Sequence, residues 1–165
     1  MINKFIILDR PDAVRYCYKK HEDKSIIVSI NSSYSKAAYL TKTKENGIIA
    51  ILPLWFDDIT CLIDGCVLFD DSMAHNIIQF VNTWKYEADT FVVHCDAGIS
   101  RSAAVCAAIR RYLGFEDMSI FDNCRYNPNP LVYYIMMGQI KDGYNPKEDD
   151  EKFSINSEYW NDEDY

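Results

Sequence analysis

Four short apolar runs punctuate this chain: Phe5–Asp9 (FIILD), Ser25–Ile30 (SIIVSI), Ile48–Leu52 (IIAIL) and Phe91–Val93 (FVV). They are apolar almost throughout instead of alternating, the pattern of strands buried on both faces. Helical spacing appears between and after them. Ala13–Lys20 reads as a short helix. Asp71-Ser72 offers a helix N-cap, and Met73, Ile77, Val81 and Trp84 recur behind it at intervals of a helical turn. Ser102–Leu113 (SAAVCAAIRRYL) is apolar almost all round until its arginines, so it reads as a buried helix whose alanines let it lie close to a sheet. Two more helical stretches are expected over 116–124 and 131–141. Ser32–Gly47 is polar and ends in the turn signal Asn46-Gly47, and Pro53 closes the third strand. Short buried strands alternating with helices specify an α/β domain: a central, mostly parallel, twisted sheet flanked by helices. In such sheets ligands bind at the carboxyl ends of the strands.

A chain of 165 residues, 48% hydrophobic and 25% charged, is sized and composed as one soluble domain. The N-terminal apolar run is too short for a secretory signal and lacks a small-residue cleavage site, and no run is long enough to span a bilayer. A cytoplasmic location is expected. The six cysteines (Cys17, Cys61, Cys66, Cys95, Cys106, Cys124) have no disulfide rhythm and form no Cys-x-x-Cys, and His21, His75 and His94 are far apart. No zinc site, other metal or cofactor is expected. Net charge is −8, which argues against nucleic acid or an anionic membrane as partner. Residues 147–165 hold eight acids and two lysines, a net −6, so they are set apart as an acidic C-terminal tail behind a single domain at 1–146.

The stretch with chemical content is VVHCDAGISRSAAV, Val92 to Val105. Its order is strand, tight loop, helix start. The backbone N–H groups of such a loop converge on one point, and the helix opening at Ser102 adds unpaired N–H groups and the positive end of its dipole. Gly98 permits a backbone angle that other residues resist. Arg101 adds a planar, charged fork that can hold two phosphate oxygens. Cys95 lies at the floor of this phosphate-sized pocket, in the positive surroundings a nucleophilic sulfur needs. The chemistry is attack by sulfur on phosphorus to give a cysteinyl-phosphate. The loop Asp96, Ala97, Gly98, Ile99 and Ser100, with Arg101, would stabilise the equatorial oxygens. Ser102 would donate a hydrogen bond to the sulfur as it leaves in the hydrolytic step.

His94-Cys95-Asp96-Ala97-Gly98-Ile99-Ser100-Arg101-Ser102 resembles the signature loop of the cysteine-dependent protein tyrosine phosphatase superfamily, and AGISRS resembles its dual-specificity branch most closely. The resemblance extends over roughly residues 48–140. It implies a metal-independent phosphate-monoester hydrolase. It also implies a general acid on a loop upstream of the cysteine: WFDD at Trp55–Asp58 is similar to the acid loops of compact dual-specificity enzymes, which points to Asp58, with Asp57 the main competitor and Asp64 a minor one. His94 then has an orienting role beneath the loop. Pro128-Asn129 is similar to the family's late Pro-Asn motif, which gives Asn129 a supporting role in holding the signature loop.

Three functional classes follow. The first is a protein phosphatase acting on phosphotyrosine, with phosphoserine and phosphothreonine as further targets. The second is the same mechanism on another ester, such as a phosphoinositide, a nucleic-acid 5′ phosphate or a small molecule. The third is a silent phosphoprotein-binding module. The loop's variable positions, Asp96, Ala97, Ile99 and Ser100, include no base and one acid, which favours a singly phosphorylated protein or peptide. A catalytically silent chain would be expected to lack the cysteine, the arginine or the acid.

Overall fold

A computed structural model of the chain describes residues 1–43 and 45–142. The expected acidic tail at 147–165 lies outside the described residues. Four strands, β1 (Lys4–Leu8), β2 (Ser25–Asn31), β3 (Ile48–Trp55) and β4 (Thr90–His94), form one sheet in the order β1-β4-β2-β3. Every pairing is parallel. The helices among the described residues are α1 (Arg10–Cys17), α2 (Asp71–Trp84), α3 (Arg101–Tyr112), α4 (Met118–Phe121) and α5 (Pro130–Asp142). None is long and apolar enough to cross a membrane, among the described residues.

The period-2 geometry of the strands divides the core. Ile26, Val28, Ile30, Phe91 and Val93 face the larger layer, where they pack with buried residues of α2, α3 and α5. Ile27 and Val92 face the other way, with Ile48, onto Cys17 of α1 and the partly buried Leu40. One face therefore carries most of the helices and the other a single two-turn helix plus the loop before β3. Within the larger layer α3 is buried from Arg101 to Ile109. Its Ala103, Ala104, Ala107 and Ala108 are all fully buried, so small side chains permit its close approach.

Several boundaries differ from expectation. The third strand runs through Pro53 to Trp55. This is allowed because β3 is an edge strand, where an imino nitrogen can face away from the ladder. α1 starts earlier, at Arg10: Asp9 caps it by accepting from the Asp12 N–H, and Pro11 fits a first turn that needs no N–H. α2 is capped by Asp70, not Asp71, through the Met73 N–H at 2.9 Å. The helix expected over 116–124 is only the single turn Met118–Phe121. Asn123 turns the chain there by accepting from the Arg125 N–H.

Candidate active site

Because all four strands run the same way, Leu8, Asn31, Trp55 and His94 end at one edge of the sheet. β4 lies between β1 and β2, so the loop that leaves it is flanked by their ends. That loop is residues 95–100, and Cys95 is its first residue, 2% exposed. The Gly98 N–H donates to its Sγ at 3.2 Å, and Ser102 Oγ lies 3.1 Å from the same sulfur. Gly98 has φ +67°, and a Cβ there would lie 2.7 Å from Asp9 N and from the Leu8 carbonyl. Both the backbone angle and the close approach of β1 demand glycine.

His94 is fully buried on the strand below. Its Nδ1 faces the Cys95 carbonyl at 3.3 Å and its Nε2 faces Ser29 Oγ at 2.7 Å. A carbonyl only accepts, so Nδ1 carries the ring proton and Nε2 accepts from Ser29. Burial holds the ring neutral, with its pKa pushed down to about 4.

Arg101, the first residue of α3, is 5% exposed. Its Nη1 donates to the Phe56 carbonyl at 2.7 Å and to Ser32 Oγ at 3.2 Å, and its Nη2 to Asp96 Oδ2 at 2.7 Å. Its Nε is buried with no acceptor. Ser100, at the N-cap of α3, makes no side-chain cap bond. Its hydroxyl turns instead to Asp58 Oδ1 at 2.8 Å.

The two candidate acids are in different situations. Asp57 is buried and tied into the scaffold. It accepts from the Ser33 N–H (3.0 Å), the Ser33 hydroxyl (2.5 Å) and the Val67 N–H (2.8 Å). Burial works to raise its pKa, but these donors and the Arg101 charge outweigh that and hold it below the usual carboxylate range. Asp58 is exposed and reaches the loop. Its Oδ1 accepts from Ser100 and, also at 2.8 Å, from Asn129 Nδ2, which leaves Oδ2 open among the described residues. Asp64 is exposed on the intervening loop.

Asn129 ties several elements together. Its Nδ2 holds Asp58, its Oδ1 accepts from the Val132 N–H in the first turn of α5, and its backbone N–H reaches the Ser100 carbonyl at 3.4 Å. The Asn127 N–H adds a bond to the Ile99 carbonyl. Of the remaining loop residues, Ala97 is exposed and Ile99 is 42% exposed, while Asp96 bridges to neighbouring side chains.

Sequence reasoning missed Arg10, Ser29, Asn31 and Ser32. Asn31 donates to the Ser29 and Leu54 carbonyls and accepts from Arg10 and the Ala38 N–H. The available signal was the presence of Ser29 and Asn31 inside an otherwise apolar run; both are nearly fully buried.

No protein-family model matches the chain, and no curated protein is significantly similar to it in sequence. Solved structures are similar in fold. Human DUSP28 matches with a TM-score of 0.57 at 16% identity, over 84% of this chain and 92% of that one. OH1 from the Orf virus, described as a tyrosine phosphatase with triple substrate specificity, matches at 0.51 and 16% identity, over 84% and 83%. The human tyrosine phosphatase-like serine/threonine/tyrosine-interacting protein matches at 0.50 and 19%, over 70% and 76%. The chain shares the fold of these phosphatase structures.

Proposed function

We propose that this protein is a cysteine-dependent phosphate-monoester hydrolase whose substrate is a phosphorylated protein or peptide, with phosphotyrosine the first target. One observation carries the proposal: a buried thiol at the carboxyl edge of a parallel sheet accepts from the Gly98 N–H and lies 3.1 Å from Ser102 Oγ, at the start of the helix whose first residue, Arg101, has a buried Nε with no acceptor among the described residues. A bound phosphoryl group would supply that acceptor. Cys95 Sγ attacks phosphorus as the thiolate, the P–O bond to the leaving group breaks, and the departing oxygen takes a proton from Asp58. The open Oδ2 is the atom that carries this proton, because Ser100 and Asn129 both donate to Oδ1. Water then attacks the cysteinyl-phosphate and gives a proton to Asp58, the S–P bond breaks, and inorganic phosphate leaves as Cys95 returns to the thiolate. Ser102 donates to the departing sulfur. Arg101 and the loop amides hold the equatorial oxygens through both steps.

The test is hydrolysis of p-nitrophenyl phosphate at mildly acidic pH with a chelator present. Turnover that persists under chelation and vanishes in Cys95→Ser is the expected result. Phosphopeptide binding without turnover by the reduced native protein would overturn it in favour of a binding module.

A further inference from the structure

Asp96 sits at a variable position of the signature loop, yet its carboxylate is surrounded by donors. Oδ2 accepts from Ser32 Oγ at 2.5 Å and from Arg101 Nη2 at 2.7 Å. Oδ1 accepts from Arg10 Nη1 at 3.4 Å. Arg10 is built into the edge of the site: its Nη1 also faces Asn31 Oδ1 at 3.3 Å and Ser35 Oγ at 3.4 Å, and its Nη2 donates to the Lys36 carbonyl. Burial works to raise the Asp96 pKa, while the Ser32 and arginine donors hold it below the usual range, so the group is an anion throughout the neutral range. Two guanidinium groups and a hydroxyl converging on one carboxylate make an anion site beside the phosphate pocket, and the chain fills it with its own side chain.

We propose that Asp96 is a specificity-determining residue: it plugs a second anion subsite formed by Arg10, Arg101 and Ser32, and so restricts the pocket to substrates with one phosphate. This deepens the phosphatase reading and rests on it. A substrate with two adjacent phosphates must put its second group where the Asp96 carboxylate stands, and must meet its charge. A single phosphate needs only the Cys95 floor and the remaining Arg101 donors. The substrate class is therefore a monophosphorylated residue without an adjoining phosphate.

The test measures binding of inorganic phosphate and of pyrophosphate by calorimetry, in a Cys95→Ser background that cannot turn over. In that background phosphate should bind more tightly than pyrophosphate. Adding Asp96→Ala should tighten pyrophosphate by about tenfold, the scale of one unscreened charge contact, and tighten phosphate much less. Adding Arg10→Ala as well should cancel the pyrophosphate gain. Asp96→Asn, which keeps the shape and removes the charge, gives the same direction if the alanine variant does not fold. Equal gains for both anions, or a pyrophosphate gain that survives Arg10→Ala, would overturn the assignment of Asp96 and leave the phosphate pocket standing. Binding of neither anion by any variant would overturn the pocket itself, and this subsite with it.

Discussion

His94 couples the stability of the fold to pH in a window set by its burial. The imidazole is neutral in the native protein with a pKa of about 4, against 6.5 for an ordinary histidine. A depressed native pKa means that the unfolded chain binds a proton more readily. The stabilisation is therefore complete above pH 6.5 and drains away as pH falls toward 4. The full difference corresponds to about 3 kcal/mol, of which about 2 kcal/mol is gone by pH 5. The carboxylates of Asp57 and Asp96 act in a separate window. Their pKa values are depressed, so their contribution is present above the ordinary carboxylate pKa and is lost only at lower pH. Urea denaturation at pH 7.5 and pH 5 isolates the histidine contribution. His94→Asn keeps a donor near the Cys95 carbonyl and cannot titrate, while His21 and His75 remain as background. The wild type should lose about 2 kcal/mol between the two pH values and the variant much less. A loss of the same size in both would refute the assignment. So would an NMR titration placing the His94 pKa near that of a free imidazole.

The acid loop, the hydrolytic step and the tight loop each give a further expectation. Asp58→Asn should lower kcat on a phenyl phosphate by roughly two orders of magnitude or more, with loss of the limb of the pH profile that reports the acid. Asp57→Ala should instead lower stability by about 2 kcal/mol, because it leaves the Val67 and Ser33 N–H groups without their acceptor. Turnover lost in a folded Asp57→Ala and kept in Asp58→Asn would reverse the two roles. Ser102→Ala should produce a burst of p-nitrophenol and then a steady rate about tenfold lower, since the missing hydrogen bond serves the departing sulfur; absence of a burst would count against that role. Gly98→Ala should lower Tm and abolish phosphate binding in calorimetry, as its methyl meets the backbone of Leu8 and Asp9; a native-like Tm would contradict the described loop.

The strands and the signature loop were legible because their information is local. An unbroken apolar run such as Ile26–Val28 specifies a strand covered on both faces, and Gly98 and Arg101 declare their conformational and charge requirements at fixed offsets from Cys95. What was not legible depends on strand order. Pro53 looks like a strand end until β3 is known to be an edge. Arg10, Ser29 and Ser32 join the site only because β4 lies between β1 and β2, a long-range pairing with no sequence period to announce it. Asn129 was expected to brace the signature loop. It reaches that loop through its backbone, while its side chain holds Asp58, a partner 71 residues away.

The pairing of β1 with β4 alone has a consequence for how the molecule comes into being. Among the described residues Lys4–Leu8 pairs only with Thr90–His94, so it stays unpaired until that later strand has been made. Gly98 is wedged against Leu8 and Asp9, and the Arg10 N–H donates to the Asp96 carbonyl. The loop around Cys95 therefore takes its final shape only when that waiting strand docks. Nascent and half-folded chains would lack an organised pocket, and chemical competence would arrive late, together with the closure of the sheet.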